Sequence, residues 1–171
     1  MAQARYLSAD DLVQALKLVC AGQYNGKPLF FWLGKADRLR QTIGAAPEFV
    51  EAMAWLDTNE LAEDVIPRLA RETLKSKLVQ RIQTATASNA RILVVVNPYL
   101  LLRYEPAPLA IFWNSFVDSR HAVVVVLPTP VPRPVDLPPY VRFRGDTPEQ
   151  IFLEANEGAA VVSPDGGATS C

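Results

Sequence analysis

Two short apolar runs, each ending near a proline, dominate the pattern of hydrophobic and polar positions along the chain. Residues 92–96 read Ile-Leu-Val-Val-Val before Asn97-Pro98, and residues 122–127 read Ala-Val-Val-Val-Val-Leu before Pro128. A run that is apolar at every position predicts a strand buried on both faces of a sheet. Because a helix-length segment separates the two runs, they predict a βαβ unit at the centre of the fold.

Other apolar runs predict further strands. Residues 29–33 form an aromatic-rich run bounded by Pro28 and Gly34, which predicts the first buried strand. Residues 51–57 predict a second strand, and the alternating residues 140–144 predict an edge strand.

Amphipathic spacing predicts helices between these strands. Ser8 is a typical helix N-cap with acidic residues after it, and the helix that it begins should end near Gly22. The longest helical pattern covers residues 60–86, with a kink at Pro67. Shorter helices are predicted over residues 35–43, 109–117 and 151–156.

The alternation of helices and strands predicts an α/β fold with a mostly parallel sheet and helices on both faces. A chain of 171 residues is long enough for one such domain and too short for two of ordinary size. We therefore expect a single α/β domain over residues 1–157, in which the proline-rich residues 128–139 form an extended connection. Residues 158–171 are predicted to be a flexible C-terminal tail.

Composition narrows the classes of partner. Seventeen Lys and Arg residues oppose 18 Asp and Glu, and a net charge of -1 predicts no strong general attraction to nucleic acid or to an anionic membrane. No apolar stretch approaches the roughly 20 residues that a bilayer requires, and the N-terminus has no secretory pattern. We therefore expect a soluble, cytoplasmic protein. Cys20, Cys171 and the single histidine have no metal-ligand spacing, so no metal site is predicted.

Candidate chemistry is sought where strands end, because parallel α/β folds bind ligands at the carboxyl ends of their strands. A P-loop NTPase has a glycine-rich turn, a lysine and a hydroxyl after its first strand, and a carboxylate at the end of a later strand. The chain has Gly34-Lys35-Ala36-Asp37 at the first position and Asn97 at the second. These residues predict a P-loop NTPase-like core without an intact Walker A or Walker B, in which Gly34 and Lys35 are the relic of a phosphate site.

Several short motifs around this core carry a more specific resemblance. Residues 55–61 lead from a strand through an Asn-containing turn into a helix, and residues 95–101 lead from a strand into an apolar segment. A proline-containing linker over residues 106–109 and an Asp-Ser-Arg turn over residues 118–120 precede the next strand. In this layout, over residues 10–145, the chain resembles the small P-loop protein of BREX phage-defence systems, which has a compact AAA-type core. The resemblance implies a P-loop-like fold and a place in a defence complex. Because the chain departs from the family at the Walker residues, it implies no ATPase activity.

The leading functional hypothesis is therefore a pseudo-ATPase without catalytic residues or a required cofactor. It would act as an adaptor or regulatory subunit of a multi-protein complex, in the context of bacterial anti-phage defence, with larger protein subunits as partners. Any contact with nucleic acid would be made through such a partner, and binding to a membrane is not expected.

Two alternatives remain open. The chain would be a nucleotide-binding ATPase or switch if Gly34 and Lys35 bound ATP and magnesium through a non-standard phosphate loop. It would be a nucleic-acid-binding module if its arginines formed a basic patch, which would equally suit an acidic protein partner. The candidate contact residues are Arg38, Arg40, Arg103 and Arg120.

Overall fold

In the computed structural model, strands from six parts of the chain form one parallel sheet. The structure describes residues 5–49, 51–62, 70–98, 116–118, 120–127 and 156–164. The strands are β1 (Arg5–Leu7), β2 (Leu29–Leu33), β3 (Met53–Asp57), β4 (Ile92–Val96), β5 (Ala122–Leu127) and β6 (Ala160–Val162). Their order across the sheet is β1-β6-β2-β5-β4-β3, and neighbouring strands pair in parallel. The predicted α/β fold is confirmed, and the architecture is consistent with a P-loop-like core.

The two apolar runs that dominate the sequence are the neighbouring strands β4 and β5. Their register begins with Ile92 opposite Ala122. On its other side β5 pairs with β2, from Leu29 opposite Val123 to the ends of both strands. Every residue of β5 is buried, as expected of a parallel strand that is covered on both faces. The prediction of a buried parallel pair is confirmed.

Helices cover the two faces of the sheet. They are α1 (Ala9–Cys20), α2 (Ala36–Gly44) and α3 (Ala70–Ala87), with short 3₁₀ helices over Pro47–Phe49 and Thr58–Ala62. Side chains along a strand point alternately to opposite faces, so Phe30 and Trp32 of β2 pack with α1 and α2. Phe31 packs on the other face with α3. Helices on both faces are thus confirmed.

The first helix begins as its sequence predicts. The Ser8 hydroxyl accepts a hydrogen bond from the Asp11 backbone N–H over 3.1 Å, and the Asp11 carboxylate accepts one from the Ser8 N–H over 3.0 Å. This capping box satisfies donors that the helix leaves free at its N-terminus. Hydrogen bonding of the Asp11 carboxyl to the Ser8 backbone N–H, and secondly to the Ser8 side chain, holds the pKa of this carboxyl below its usual value. Leu12, Leu16 and Val19 follow at helical spacing and are fully buried.

The prediction of a flexible tail from residue 158 is wrong for residues 158–164. Residues 160–162 form β6, which pairs with β1 on one side and with β2 on the other. Both β1 and β6 are three residues long, too short for a periodic pattern to identify them. Pairing between distant segments therefore adds two strands that the sequence pattern does not predict.

The long helix predicted over residues 60–86 also differs from the structure. Residues 58–62 form a 3₁₀ helix where α-helix was expected from residue 60, and α3 follows over Ala70–Ala87. Phe116 lies in a turn rather than in the predicted helix. Several predicted features lie outside the described residues: Pro67, the connection over 128–139, the strand over 140–144 and most of the helices over 109–117 and 151–156. Within the described ranges, no helix is long and apolar enough to cross a membrane.

Candidate functional site at the carboxyl edge of the sheet

We call the end of the sheet where the parallel strands finish the carboxyl edge. It is the end at which α/β folds of this kind place their ligands. In the described residues it is formed by Ser8, which follows β1, and by the segments that follow β2, β3, β4 and β6. Their residues are Gly34 and Lys35, Asp57 and Thr58, Asn97, and Ser163 and Pro164.

The connection between β2 and α2 is very short and its glycine is enclosed by protein. Only Gly34 and Lys35 separate the strand from the helix. Gly34 is buried, and its N–H donates to the Leu127 carbonyl over 3.0 Å. A Cβ added to Gly34 would lie 3.1 Å from Trp32 Nε1 and 3.3 Å from Pro164 Cγ. A side chain at this position would therefore press on Trp32 and Pro164, which would have to shift by a few tenths of an ångström.

Lys35 occupies the N-cap position of α2. Its side chain is exposed and makes no capping hydrogen bond, while its carbonyl accepts a hydrogen bond from the Trp32 indole N–H over 3.2 Å. Asp37 follows in the first turn of the helix, where its negative charge interacts favourably with the helix dipole and would repel a bound anion. The structure thus places Gly34 and Lys35 together at the carboxyl edge, as the sequence predicts, with an acidic neighbour.

The ends of β3 and β4 are joined by polar side chains. Asn97 Nδ2 donates to Asp57 Oδ1 over 2.9 Å, and the Thr58 hydroxyl donates to the Asn97 carbonyl. Thr58 is fully buried. Asn97 has a φ of 55°, a left-handed conformation that asparagine tolerates better than most residues. The amide that stands where a P-loop protein has a carboxylate therefore binds the neighbouring strand.

Among the described residues, the arginines that the sequence singles out do not form one patch. Arg38 Nη2 donates to the Pro164 carbonyl over 3.1 Å at the carboxyl edge. Arg40 lies over the Trp55 ring, with its Cζ 3.7 Å from the ring centroid. Arg120 precedes β5 at the opposite end of the sheet. Arg103 lies outside the described residues.

The histidine of the chain pairs with the first residue of the Asp-Ser-Arg turn, to which the sequence assigns no chemical role. His121 Nδ1 lies 2.7 Å from Asp118 Oδ1, which also accepts a hydrogen bond from the Arg120 backbone N–H over 2.7 Å. Partial burial raises the pKa of Asp118, but hydrogen bonds from Arg120 and His121 outweigh this effect and leave the pKa below its usual value. An aspartate three residues before a histidine is the only sequence signal for this pair.

The chemistry available at the carboxyl edge is limited. Its polar side chains are carboxylates, hydroxyls, an amide, a lysine and an arginine, and most of the polar contacts join the elements of the fold to one another. No group of three or more His, Cys, Asp or Glu side chains in the described ranges is arranged to hold a metal ion.

The fold and this edge define a class: an α/β protein with a single parallel sheet, consistent with a P-loop-like core. Comparison with protein-family models, with curated proteins and with solved structures finds no match.

Proposed function

We propose that the chain is a non-catalytic adaptor or regulatory subunit of a multi-protein complex, built on a P-loop-like core that has lost its nucleotide chemistry. The observation that carries this proposal is the environment of Gly34. A phosphate-binding glycine leaves open space so that backbone N–H groups can approach the ligand. At Gly34 that space is filled by Trp32 and Pro164, at 3.1 and 3.3 Å from the position of a Cβ.

The length of the connection supports the same conclusion. A phosphate cradle requires several residues between strand and helix, and β2 and α2 are separated by two. The residues present therefore do not fit a nucleoside triphosphate held in the P-loop manner. The end of β4 supports it too, because the Asn97 amide donates to Asp57 and supplies no charge for magnesium.

The wider context rests on the resemblance to the BREX protein. We propose that the partner is a larger subunit of a cytoplasmic anti-phage defence complex, and that any nucleic acid in that complex is bound with the partner's help. In such a complex a small α/β subunit without catalysis would position or regulate the subunits that carry the chemistry.

Calorimetric titration of the full chain with ATP and magnesium tests the loss of nucleotide chemistry. We expect no binding tighter than about 1 mM and no ATP hydrolysis above that of a buffer blank. Lys35→Ala should change neither result. The control is Lys75→Ala, which removes another exposed lysine, from α3.

ATP hydrolysis by the natural chain that Lys35→Ala abolishes and Lys75→Ala leaves intact would refute the proposal and favour the ATPase alternative. The adaptor role is tested separately, by purifying the chain at its natural abundance and measuring its size. We expect a defined complex with a larger protein. Elution as the free 18.8 kDa chain would contradict the adaptor role.

A further inference from the structure

We propose that the opposite end of the sheet, which we call the amino edge, binds the phosphate backbone of a nucleic acid. This inference goes beyond the proposed function and does not depend on it. A cation stands at the beginning of four different strands. Arg5 begins β1, Lys27 comes two residues before β2, Arg91 directly precedes β4, and Arg120 comes two residues before β5.

The sheet order converts these scattered positions into a row. The four strands are the first, third, fourth and fifth across the sheet. Because neighbouring strands lie about 4.8 Å apart, the row is about 19 Å long. That length corresponds to about six nucleotides along one strand of B-DNA, which rises about 3.4 Å per nucleotide. A linear row of cations suits a linear polyanion.

One loop, residues 21–27 between α1 and β2, brings three guanidinium groups together. Arg91 donates to the last carbonyl of α1. A Cβ on Gly22 would lie 3.2 Å from Arg120 Nε, and a Cβ on Gly26 would lie 3.1 Å from Arg5 Nη1. Both glycines have a positive φ, of 71° and 113°, which larger residues rarely adopt. The loop therefore lets the arginines approach its backbone closely.

The cations of the row are accessible, and acidic side chains stand at the same edge. Arg5, Arg91 and Arg120 are exposed, and Lys27 is half-buried. None of the four forms an ion pair with a described carboxylate, and the nearby Asp118 pairs with His121 instead. Carboxylates also stand at this edge, Glu51 before β3 and Glu157 before β6, so the phosphate contacts would come from the individual cations and not from a strong positive field of the whole edge.

The chemistry of the row favours phosphate over other anions. Three of its four cations are guanidinium groups, whose planar donors match phosphate oxygens. Protein interfaces centre on aromatic or aliphatic anchors, whereas the exposed loop residues Ala21, Gln23 and Asn25 are small or polar. Stable attachment to a membrane requires an apolar or lipid anchor in addition to charge. A nucleic-acid backbone needs neither kind of anchor.

Fluorescence anisotropy with labelled oligo-dT and duplex DNA, at several salt concentrations, tests the inference on the full chain. Four phosphate contacts predict that the logarithm of the binding constant falls with the logarithm of salt with a slope of about -3 to -4. Arg5→Gln combined with Arg120→Gln should reduce the steepness of this slope by about 2 and weaken binding at least about tenfold. Lys27→Gln, which removes no contact to the loop backbone, should reduce it by about 1.

The matched control is Lys75→Gln combined with Arg81→Gln, which removes the same charge from α3. Arg81 pairs with Glu60 on the surface, with about half of both side chains exposed, so its loss should cost little stability. The inference would be supported if the control bound both DNA forms as tightly as the natural chain and the amino-edge variants bound them more weakly. It would be overturned if the natural chain bound neither DNA at low salt. Equal DNA binding by all variants would also overturn it. So would binding only to polyglutamate, which represents an acidic protein, or only to phosphatidylserine vesicles, which represent an anionic membrane.

Discussion

Replacing Asn97 with aspartate tests the contact that joins β3 and β4 at the carboxyl edge. Asn97 Nδ2 lies 2.9 Å from Asp57 Oδ1, and a carboxylate in its place brings two negative charges together. With an effective dielectric constant of about 20, two charges at that distance repel each other by about 6 kcal/mol. The pair can reduce this cost by retaining a proton. Holding a proton on an ordinary carboxyl at neutral pH costs about 4 kcal/mol, which is therefore the upper limit.

Solvent reduces the limit further, because Asp57 and Asn97 are both only half-buried. We expect Asn97→Asp to lower the free energy of unfolding by about 2–3 kcal/mol at neutral pH. Like charge raises the pKa of the introduced carboxyl above its value in the unfolded chain. The folded variant therefore binds its proton more tightly than the unfolded variant does. The loss should be small below about pH 4 and should grow as the pH rises through the raised pKa.

The matched control is Asn97→Gly, which removes the amide without adding charge. Because the φ of 55° at this position suits glycine, we expect a loss of about 1 kcal/mol. That loss should vary with pH much less than the loss in Asn97→Asp, because no new titratable group is introduced. Urea denaturation followed by tryptophan fluorescence, at acidic and neutral pH, measures both variants. Equal losses of stability in the two variants at every pH would show that the Asn97 side chain does not contact Asp57.

Three further predictions concern single contacts. Arg40→Gln should lower the free energy of unfolding by about 0.5–1 kcal/mol, because Arg40 covers the partly exposed Trp55 ring; urea denaturation measures the loss, and an unchanged free energy would contradict the contact. Asp118→Asn should reduce the loss of stability on acidification below about pH 4. The lowered pKa of Asp118 stabilises the fold fully only above the pKa that this carboxyl has in the unfolded chain, and this stabilisation is lost as the pH falls. Urea midpoints at acidic pH measure the effect, and parallel pH profiles of the two proteins would contradict it. Cys20 should react with iodoacetamide more slowly than a free thiol at the same pH, because burial raises the pKa of its thiol more strongly than Arg91 lowers it. Mass spectrometry of the peptide that contains Cys20 measures the rate, and alkylation as fast as that of free cysteine would show the thiol to be exposed.

Local pattern predicts the elements that their own residues stabilise. The runs in β2, β4 and β5 are apolar at successive positions, which identifies strands buried on both faces without knowledge of their neighbours. Ser8 and the acidic residues after it predict the start of α1, because a capping box closes within four residues. The α/β class follows from the alternation of such elements.

The candidate site is predictable only in part. Gly34 and Lys35 are recognisable as the residues that follow β2, and the shortness of the connection to the next helix is visible because it is a matter of spacing along the chain. The role of Gly34 is not visible, because Pro164 reaches it from the segment after β6. The pairing of Arg38 with the Pro164 carbonyl escapes prediction for the same reason.

The sequence by itself determined the parallel α/β class, the buried strands, the first helix and the departure from Walker residues at two strand ends. Each of these depends on residues close together in the chain. The tertiary structure alone decided that β6 lies between β1 and β2, that Asn97 binds Asp57, and which arginines share an edge. These features depend on strand order, and strand order arises from the burial of distant segments against one another, for which no local pattern exists.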